Sequence, residues 1–405
     1  MAKPNKDLLD PVRKAAFEKL HIAADKRVIL CLDGGGMRGI LTIQLLKKLE
    51  EIAGLPCHEL FDMVSGTSTG GIIAGLIATG HSAGEIENLY INLVTDVFDR
   101  RLFGNRFLNP PEFSKSRYRK VLKQQVQDKT LEDACKSSGL DLMITAQDIS
   151  AAEETFFSCF KQDDGSFYGT YKTVLLRAVM EATMSAPTYF YPLERFLDGG
   201  TTTYNNPAMA AIIEALSYSR EDKNPERSDY QIASAVVFSF GTGISRQFVK
   251  PDETINPEGL DIKFWLDWIM RQTGQDASAM QMNVFRSPVI RQTLDVRRFQ
   301  VSLDAAAIKR LPNTDTLDPG KYGSRWLHDI SDEILGRIDM ADVSKFDLMK
   351  VIGEQMAKYI METGNGFTTD LTDDRNNDQL VTFSGDIDRI RTQMSDPGWL
   401  DGFVA

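Results

Sequence analysis

Phe61-Asp62-Met63-Val64-Ser65-Gly66-Thr67-Ser68-Thr69-Gly70-Gly71-Ile72-Ile73-Ala74-Gly75 passes through three kinds of local structure in one short run. Phe61 to Val64 reads as a strand, Ser65 to Gly70 as a sharp turn, and Gly71 to Thr79 as a small-residue helix able to pack tightly under a sheet. Gly66-Thr67-Ser68-Thr69-Gly70 matches G-x-S-x-G, and a strand before it with a helix after it is the setting of a nucleophile elbow. There the glycines let the backbone cross close to its neighbours, while Ser68 is held strained with Oγ projecting into a cleft. The following helix points its N-terminal amides at the same spot, which favours developing negative charge. In isolation the pattern is equally a glycine-rich turn; its setting favours the nucleophile.

A second unit of the same kind lies upstream. Arg27-Val28-Ile29-Leu30-Cys31-Leu32 is a β-rich run read as a buried strand. Asp33 to Gly39 is the turn after it, and Ile40, Leu41, Leu45, Leu46 and Leu49 then recur at helical spacing up to Gly54, a helix stop. Asp10-Pro11 opens a short amphipathic segment ending near Leu20, with Asp as N-cap and Pro in the first turn. Further strands are expected at Leu140 to Ala146, Thr155 to Phe160, Ser234 to Phe240 and Arg298 to Leu303, and helices at Lys172 to Met184 and Asn206 to Tyr218. This alternation predicts an α/β fold, layered, with a mostly parallel central sheet flanked by helices. Beyond about residue 245 the pattern turns mainly helical. The expected organisation is an N-terminal helical segment (1–25), a core (26–245) and a mainly helical C-terminal part (246–405) packed on that core. A polar Asp-rich loop near 368–378 lacks calcium-loop spacing, and no metal is expected.

The chain has 405 residues, 42% hydrophobic and 25% charged, enough for one large domain or two modest ones. Lys plus Arg number 46 against 57 Asp plus Glu, a net charge of −11, so the chain as a whole repels nucleic acid polymers and anionic surfaces. Cys31, Cys57, Cys135 and Cys159 are too few and scattered for a disulfide scaffold, which makes a reducing, cytoplasmic setting the expectation. Met1 to Leu20 lacks the apolar core of a secretion signal, and the apolar run Gly70 to Gly80 is about half the roughly 20 residues of a membrane span.

Asp33-Gly34-Gly35-Gly36-Met37-Arg38-Gly39 satisfies G-x-G-x-x-G and admits a dinucleotide reading, in which bare amides cradle a pyrophosphate. Successive glycine amides serve equally as an oxyanion hole, with Arg38 adding positive charge. With Ser68 at the next turn, the oxyanion reading explains two features with one site. Asp198-Gly199-Gly200 follows a short apolar segment, so Asp198 is placed to enter a cleft as the base for Ser68, although Asp-Gly in isolation most often means an Asx turn. Desolvation there would raise its proton affinity. Histidine, the usual base, is scarce. The order Ser68, Asp198, His328 fits an α/β-hydrolase triad, which stays open, but His328 has no strand or glycine turn beside it. A non-catalytic nucleotide- or lipid-binding protein is the remaining alternative.

Asp33 to Gly39, Gly66 to Gly70 and Asp198 to Gly200, in that order, resemble the motifs of the patatin-like phospholipases. Ala182-Thr183-Met184-Ser185-Ala186-Pro187, Tyr189-Phe190-Tyr191-Pro192, Asn205-Asn206-Pro207-Ala208 and Ser239-Phe240-Gly241-Thr242-Gly243 are similar to further landmarks of that family. The resemblance covers about residues 26 to 300. It implies a phospholipase of the Ser-Asp dyad type that cleaves acyl esters of membrane glycerophospholipids without cofactor. Ser68 would be the nucleophile, Asp198 the base, and Gly34, Gly35, Gly36, Arg38 and Gly39 the oxyanion loop. Gly66, Thr67, Thr69 and Gly70 would shape the elbow, and Gly199 and Gly200 the turn after the base. Bacterial members include membrane-degrading defence effectors switched on by cyclic nucleotides, which implies a cyclic-nucleotide activator, although no motif marks its site.

An acidic enzyme acting on bilayers needs a local docking patch. Arg100, Arg101, Arg106, Lys115, Arg117, Arg119, Lys120 and Lys123 stand against Glu112 alone, interleaved with Leu and aromatic residues suited to headgroups. This stretch is read as a membrane face or an anionic-ligand patch, with a solvated face as the plain alternative; the enzyme would then sit peripherally at the inner membrane when active. Leu260 to Phe285, rich in large soft side chains, reads as core or as the interface of a homo-oligomer, with a lid or acyl-chain contact as the alternative.

Overall fold

The computed structural model describes residues 10–98, 113–158, 171–218, 230–244, 262–336, 338–363, 366–368 and 395–398. Seven strands are found among them: β1 (Arg27–Leu32), β2 (Met63–Thr67), β3 (Asp141–Asp148), β4 (Glu153–Ser158), β5 (Phe196–Asp198), β6 (Ala235–Phe240) and β7 (Asp295–Phe299). They form one sheet in the order β4-β3-β2-β1-β6-β7, with β5 also on β3. β1, β2, β3, β6 and β7 run parallel, whereas β4 and β5 pair antiparallel with β3. The expected α/β architecture is therefore present.

β1 is buried along its whole length, as its unbroken apolar run requires. Its alternation serves two cores: Val28, Leu30 and Leu32 join one hydrophobic cluster, while Ile29 and Cys31 join the other. The first cluster is roofed by the helices Gly39–Ala53, Thr69–Ala78, Ala83–Phe98 and Phe346–Thr363, the second by Ala208–Tyr218 and Ile262–Arg286. Two helix ends follow the chemistry of their sequence. Asp10 accepts the Val12 amide ahead of Pro11, and Gly54 closes Gly39–Ala53 in the left-handed conformation.

β7 lies beyond residue 245 yet completes the sheet beside β6, and Phe346–Thr363 packs on Gly39–Ala53. The C-terminal part thus shares the core. Leu260 to Phe285 falls on the helix Ile262–Arg286, with Met282 and Phe285 buried in the second cluster and Met280 exposed. Cys31 and Cys57 are buried and outside any disulfide, whereas Cys135 is disulfide-bonded, one crosslink in a chain expected to carry no disulfide scaffold. The Asp-rich stretch beyond Thr368 and the end of the expected strand beyond Ser158 lie outside the described residues.

β1 has β2 on one side and β6 on the other although β2 follows it directly in the chain, so the strand order reverses at β1. The crevice beyond the carboxyl ends of such strands is where open α/β sheets bind ligands. The Asp33–Gly39 and Gly66–Gly70 turns both leave the sheet there, since Leu32 is in register with Gly66.

Candidate active site

Register brings Ser68 and Asp198 together. Thr67 is opposite Thr145 on β3, which places Ser68 level with Ala146, and Ala146 is the partner of Asp198 on β5. Sequence distance vanishes across one strand. The Ser68 hydroxyl donates to Asp198 Oδ2 at 2.6 Å. Ser68 has φ +51° and ψ −123°, a conformation costing a non-glycine residue about 1–3 kcal/mol and retained only where surroundings enforce it. Gly66 is part of that enforcement: a Cβ there would stand 2.2 Å from the Gly70 carbonyl oxygen. The Ser68 amide donates to Thr183 Oγ1 at 2.8 Å, and that hydroxyl donates to the Thr145 carbonyl at 2.7 Å. Thr69 begins the helix Thr69–Ala78, which has no side-chain cap.

Asp198 is buried, and burial pushes its carboxyl pKa up to about 7, against the opposing pull of the Ser68 hydroxyl and the Gly200 amide. The Gly200 amide donates to Oδ1 at 2.7 Å, leaving Oδ2 on Ser68. Asp-Gly is therefore an Asx turn and a site feature at once, because the turn orients the carboxylate. The Asp198 amide donates to the Ser185 carbonyl at 3.1 Å.

The glycine turn divides the expected oxyanion donors. The Gly34 amide is taken by the Asn205 carbonyl at 3.2 Å, and the Gly39 amide by carbonyls of its own turn. Those two positions do not offer donors, which corrects the expectation; their glycines fit close packing instead. No acceptor for the Gly35 or Gly36 amide is found among the described residues, and both residues line the cavity that Ser68 faces. Two amides suit a single oxygen better than a pyrophosphate, which weakens the dinucleotide reading. Arg38 Nε donates to the Gly35 carbonyl at 3.4 Å, so the side chain supports the turn while also lining the cavity.

Ser68 and Asp198 open into two spaces. One is a narrow apolar slot walled by Ile72, Leu93, Val94, Val97, Met184 and Phe190. The other is a cavity of about 600 Å³ in which polar groups, among them Asn205, Thr242, Gln275, Asn283, Arg286 and Gln300, join the glycine turn. The C-terminal part, which carries no motif, thus supplies much of the larger wall, and Met340 borders both spaces.

His328 lines neither space; its Nε2 donates to the Leu311 carbonyl at 2.6 Å. This removes the triad's structural basis, since a base must reach the serine. Among the described residues no His, Cys, Asp and Glu cluster suited to a metal ion is found.

The basic stretch is corrected in part. Lys115 is buried, with Nζ donating to Ser185 Oγ at 2.6 Å and lying 3.4 Å from Glu181; burial lowers its pKa, partly countered by Glu181. Arg119 binds Glu181 with two nitrogens, at 2.8 and 2.6 Å. Both residues buttress the loop that holds Asp198. Arg117, Lys120 and Lys123 are exposed on the helix Ser116–Val126, and Arg100, Arg101 and Arg106 lie outside the described residues.

Local pattern did not reveal several neighbours of the site. Arg298 on β7 clasps Asp33, the first residue of the glycine turn, through two bonds of 2.8 and 2.6 Å, with both side chains buried. Tyr90 lines the slot and donates its hydroxyl to the Gly36 carbonyl, with Thr69 Oγ1 2.6 Å away. The Met340 carbonyl accepts the Met37 amide at 2.7 Å. Thr183, Asn205 and Thr242 sat inside landmark segments, but nothing in those segments indicated what they would hold.

The sequence profile of the patatin-like phospholipase family matches residues 30–212. The 85/88 kDa calcium-independent phospholipase A2 of Mus musculus is 30% identical over 58% of this chain and 30% of its own length. The cGAMP-activated phospholipase of Escherichia coli strain TW11681 is 29% identical over 58% of this chain and 66% of its own. A cUMP-AMP-activated phospholipase of Escherichia coli is 31% identical over 48% of this chain and 60% of its own. The chain thus spans between about a third and two thirds of these relatives.

Proposed function

We propose that this chain, whose residues 30–212 match the patatin-like phospholipase family, hydrolyses acyl esters of membrane glycerophospholipids on a Ser68–Asp198 dyad. The observation that carries this reading is the 2.6 Å bond from a strained Ser68 to a buried Asp198. A narrow apolar slot opens beside that bond.

In this reading Ser68 Oγ attacks the ester carbonyl carbon while Asp198 Oδ2 takes its proton. The carbonyl oxygen, now negative, is held by the Gly35 and Gly36 amides and by the helix N-terminus. Collapse breaks the bond to the alcohol oxygen, and the lysolipid leaves with the proton from Asp198. Water, deprotonated by Asp198, then attacks the acyl-serine and releases the fatty acid. A carboxyl with a pKa of about 7 is matched to both directions of proton transfer near neutral pH. The dyad chemistry calls for no cofactor.

The names of two bacterial relatives support gating by a cyclic nucleotide, and the lipid substrate supports a peripheral site of action at the inner membrane face. Among the described residues no helix is long and apolar enough to cross a membrane. Lipid mass spectrometry on phospholipid vesicles tests the activity: wild-type protein should release fatty acid and lysolipid, and Ser68→Ala should release neither. Equal release by both overturns the assignment. A thermal-shift panel of cyclic di- and trinucleotides tests the gating, which is rejected if none shifts the melting temperature.

A further inference from the structure

Three consecutive peptides of the glycine turn are gripped by their carbonyls. Thr242 Oγ1 donates to the Gly34 carbonyl at 2.8 Å. The Arg38 amide donates to the Gly35 carbonyl at 3.2 Å. The Tyr90 hydroxyl donates to the Gly36 carbonyl. In a planar trans peptide the C=O and the next N–H point to opposite sides, so gripping the Gly34 carbonyl aims the Gly35 amide the other way. Gly34 and Gly35 bring no side chain to resist rotation of the peptide between them. A flipped peptide would turn its carbonyl oxygen toward the reacting centre, where it would repel an oxyanion.

The grip itself is rigid. Thr242 is 3% exposed, and its turn is tied on both flanks: the Gly241 amide donates to the Phe299 carbonyl at 2.9 Å, and the Gly243 amide to Gln300 Oε1 at 2.8 Å. Thr42 Oγ1 also donates to the Gly241 carbonyl at 3.0 Å. Gly35 leaves room for the post, since a Cβ there would lie 2.2 Å from Thr242 Oγ1. We propose that Thr242 is a positioning residue that holds the Gly34–Gly35 peptide in the orientation that presents the Gly35 amide to the oxyanion. This rests on the Ser68–Asp198 reading above and assigns a role to the Gly241–Gly243 turn.

Thr242→Ala removes the hydroxyl and Thr242→Ser keeps it. With 4-nitrophenyl butyrate as substrate, Thr242→Ala should lower kcat about tenfold, below the roughly 100-fold typical of losing a whole oxyanion donor, with KM within twofold. Thr242→Ser should stay within threefold of wild type. A long-chain trifluoromethyl ketone, whose adduct mimics the tetrahedral oxyanion, should lose affinity by the same factor as kcat/KM. The midpoint of the acidic pH limb should not move, because Asp198 is untouched. Thr242→Val, which keeps the shape, is read by the same criteria if the alanine variant does not fold. A kcat within twofold of wild type, or a loss of kcat without the matching loss of ketone affinity, overturns the proposal. Activity surviving in Ser68→Ala would instead overturn the dyad reading beneath it.

Discussion

The two turns that meet at the carboxyl ends of β1 and β2 solve opposite problems. Gly66–Gly70 must present a side chain, so it tolerates a positive φ at Ser68 and clears space around that residue with glycines. Asp33–Gly39 must present backbone, so it sheds side chains. Having shed them, it cannot hold its own shape and is held from outside by Arg298, Thr242, Tyr90 and the Met340 carbonyl. On the proposed reading the serine is set by the glycines of its own turn together with Thr183, while the pair of oxyanion amides depends on several residues from distant parts of the chain.

The largest expected effect tests the elbow. Asp198→Asn should cut kcat about a thousandfold or more, because the proton acceptor is lost; a smaller loss, measured on a soluble ester, would mean that another group serves as base. In the wild type kcat/KM should rise as pH passes through about 7, since only the carboxylate accepts the Ser68 proton. Stability runs the other way. A carboxyl whose folded pKa is raised favours the folded state below the unfolded pKa of about 4, and that contribution is lost as pH climbs through the folded value. Asp198→Asn should therefore melt higher than wild type at pH 8 and lose that advantage at pH 4, read by differential scanning calorimetry.

The next effect tests the external support of the glycine turn. Arg298→Leu leaves Asp33 buried beside Ser239 without its bidentate partner, and removing one member of a buried pair costs about 3–5 kcal/mol. Urea unfolding measures it. A cost below about 1 kcal/mol, the size of a surface ion pair, would show that the turn holds itself and would remove the contrast between the two turns. The smallest effect lies outside both turns. Lys120→Gln should weaken binding to anionic vesicles several-fold, at up to about 1 kcal/mol per charge, and leave turnover of a soluble ester unchanged. Unchanged vesicle sedimentation would assign this helix to solvent alone.

Much of the frame was legible because it is written in short-range pattern. The uniform apolar run of β1 needs two covering layers, the strand–turn–helix around Ser68 needs its glycines, and Asp10-Pro11 needs no distant residue to start a helix. Lys115 and Arg119 show where that reading fails. Their charge pattern suits an exposed face, and only the approach of Glu181 and Ser185 turns Lys115 inward and pins the still exposed Arg119 to Glu181. Gly34 and Gly39 show the same limit, since a glycine kept for packing and a glycine kept for its amide look alike until neighbours are in place.

The sequence by itself determined the layered α/β class, the serine elbow, and an acidic residue at the end of a short strand, because each depends on residues within one turn or one strand. Tertiary structure decided that Asp198 rather than His328 reaches Ser68, through the register of β5 on β3. It also decided which amides remain for an oxyanion, and it brought β7 and Met340 to the site from a region without motifs. The physical reason is that hydrogen bonds across a sheet join residues by register and strand order, neither of which is encoded in the spacing along any single segment.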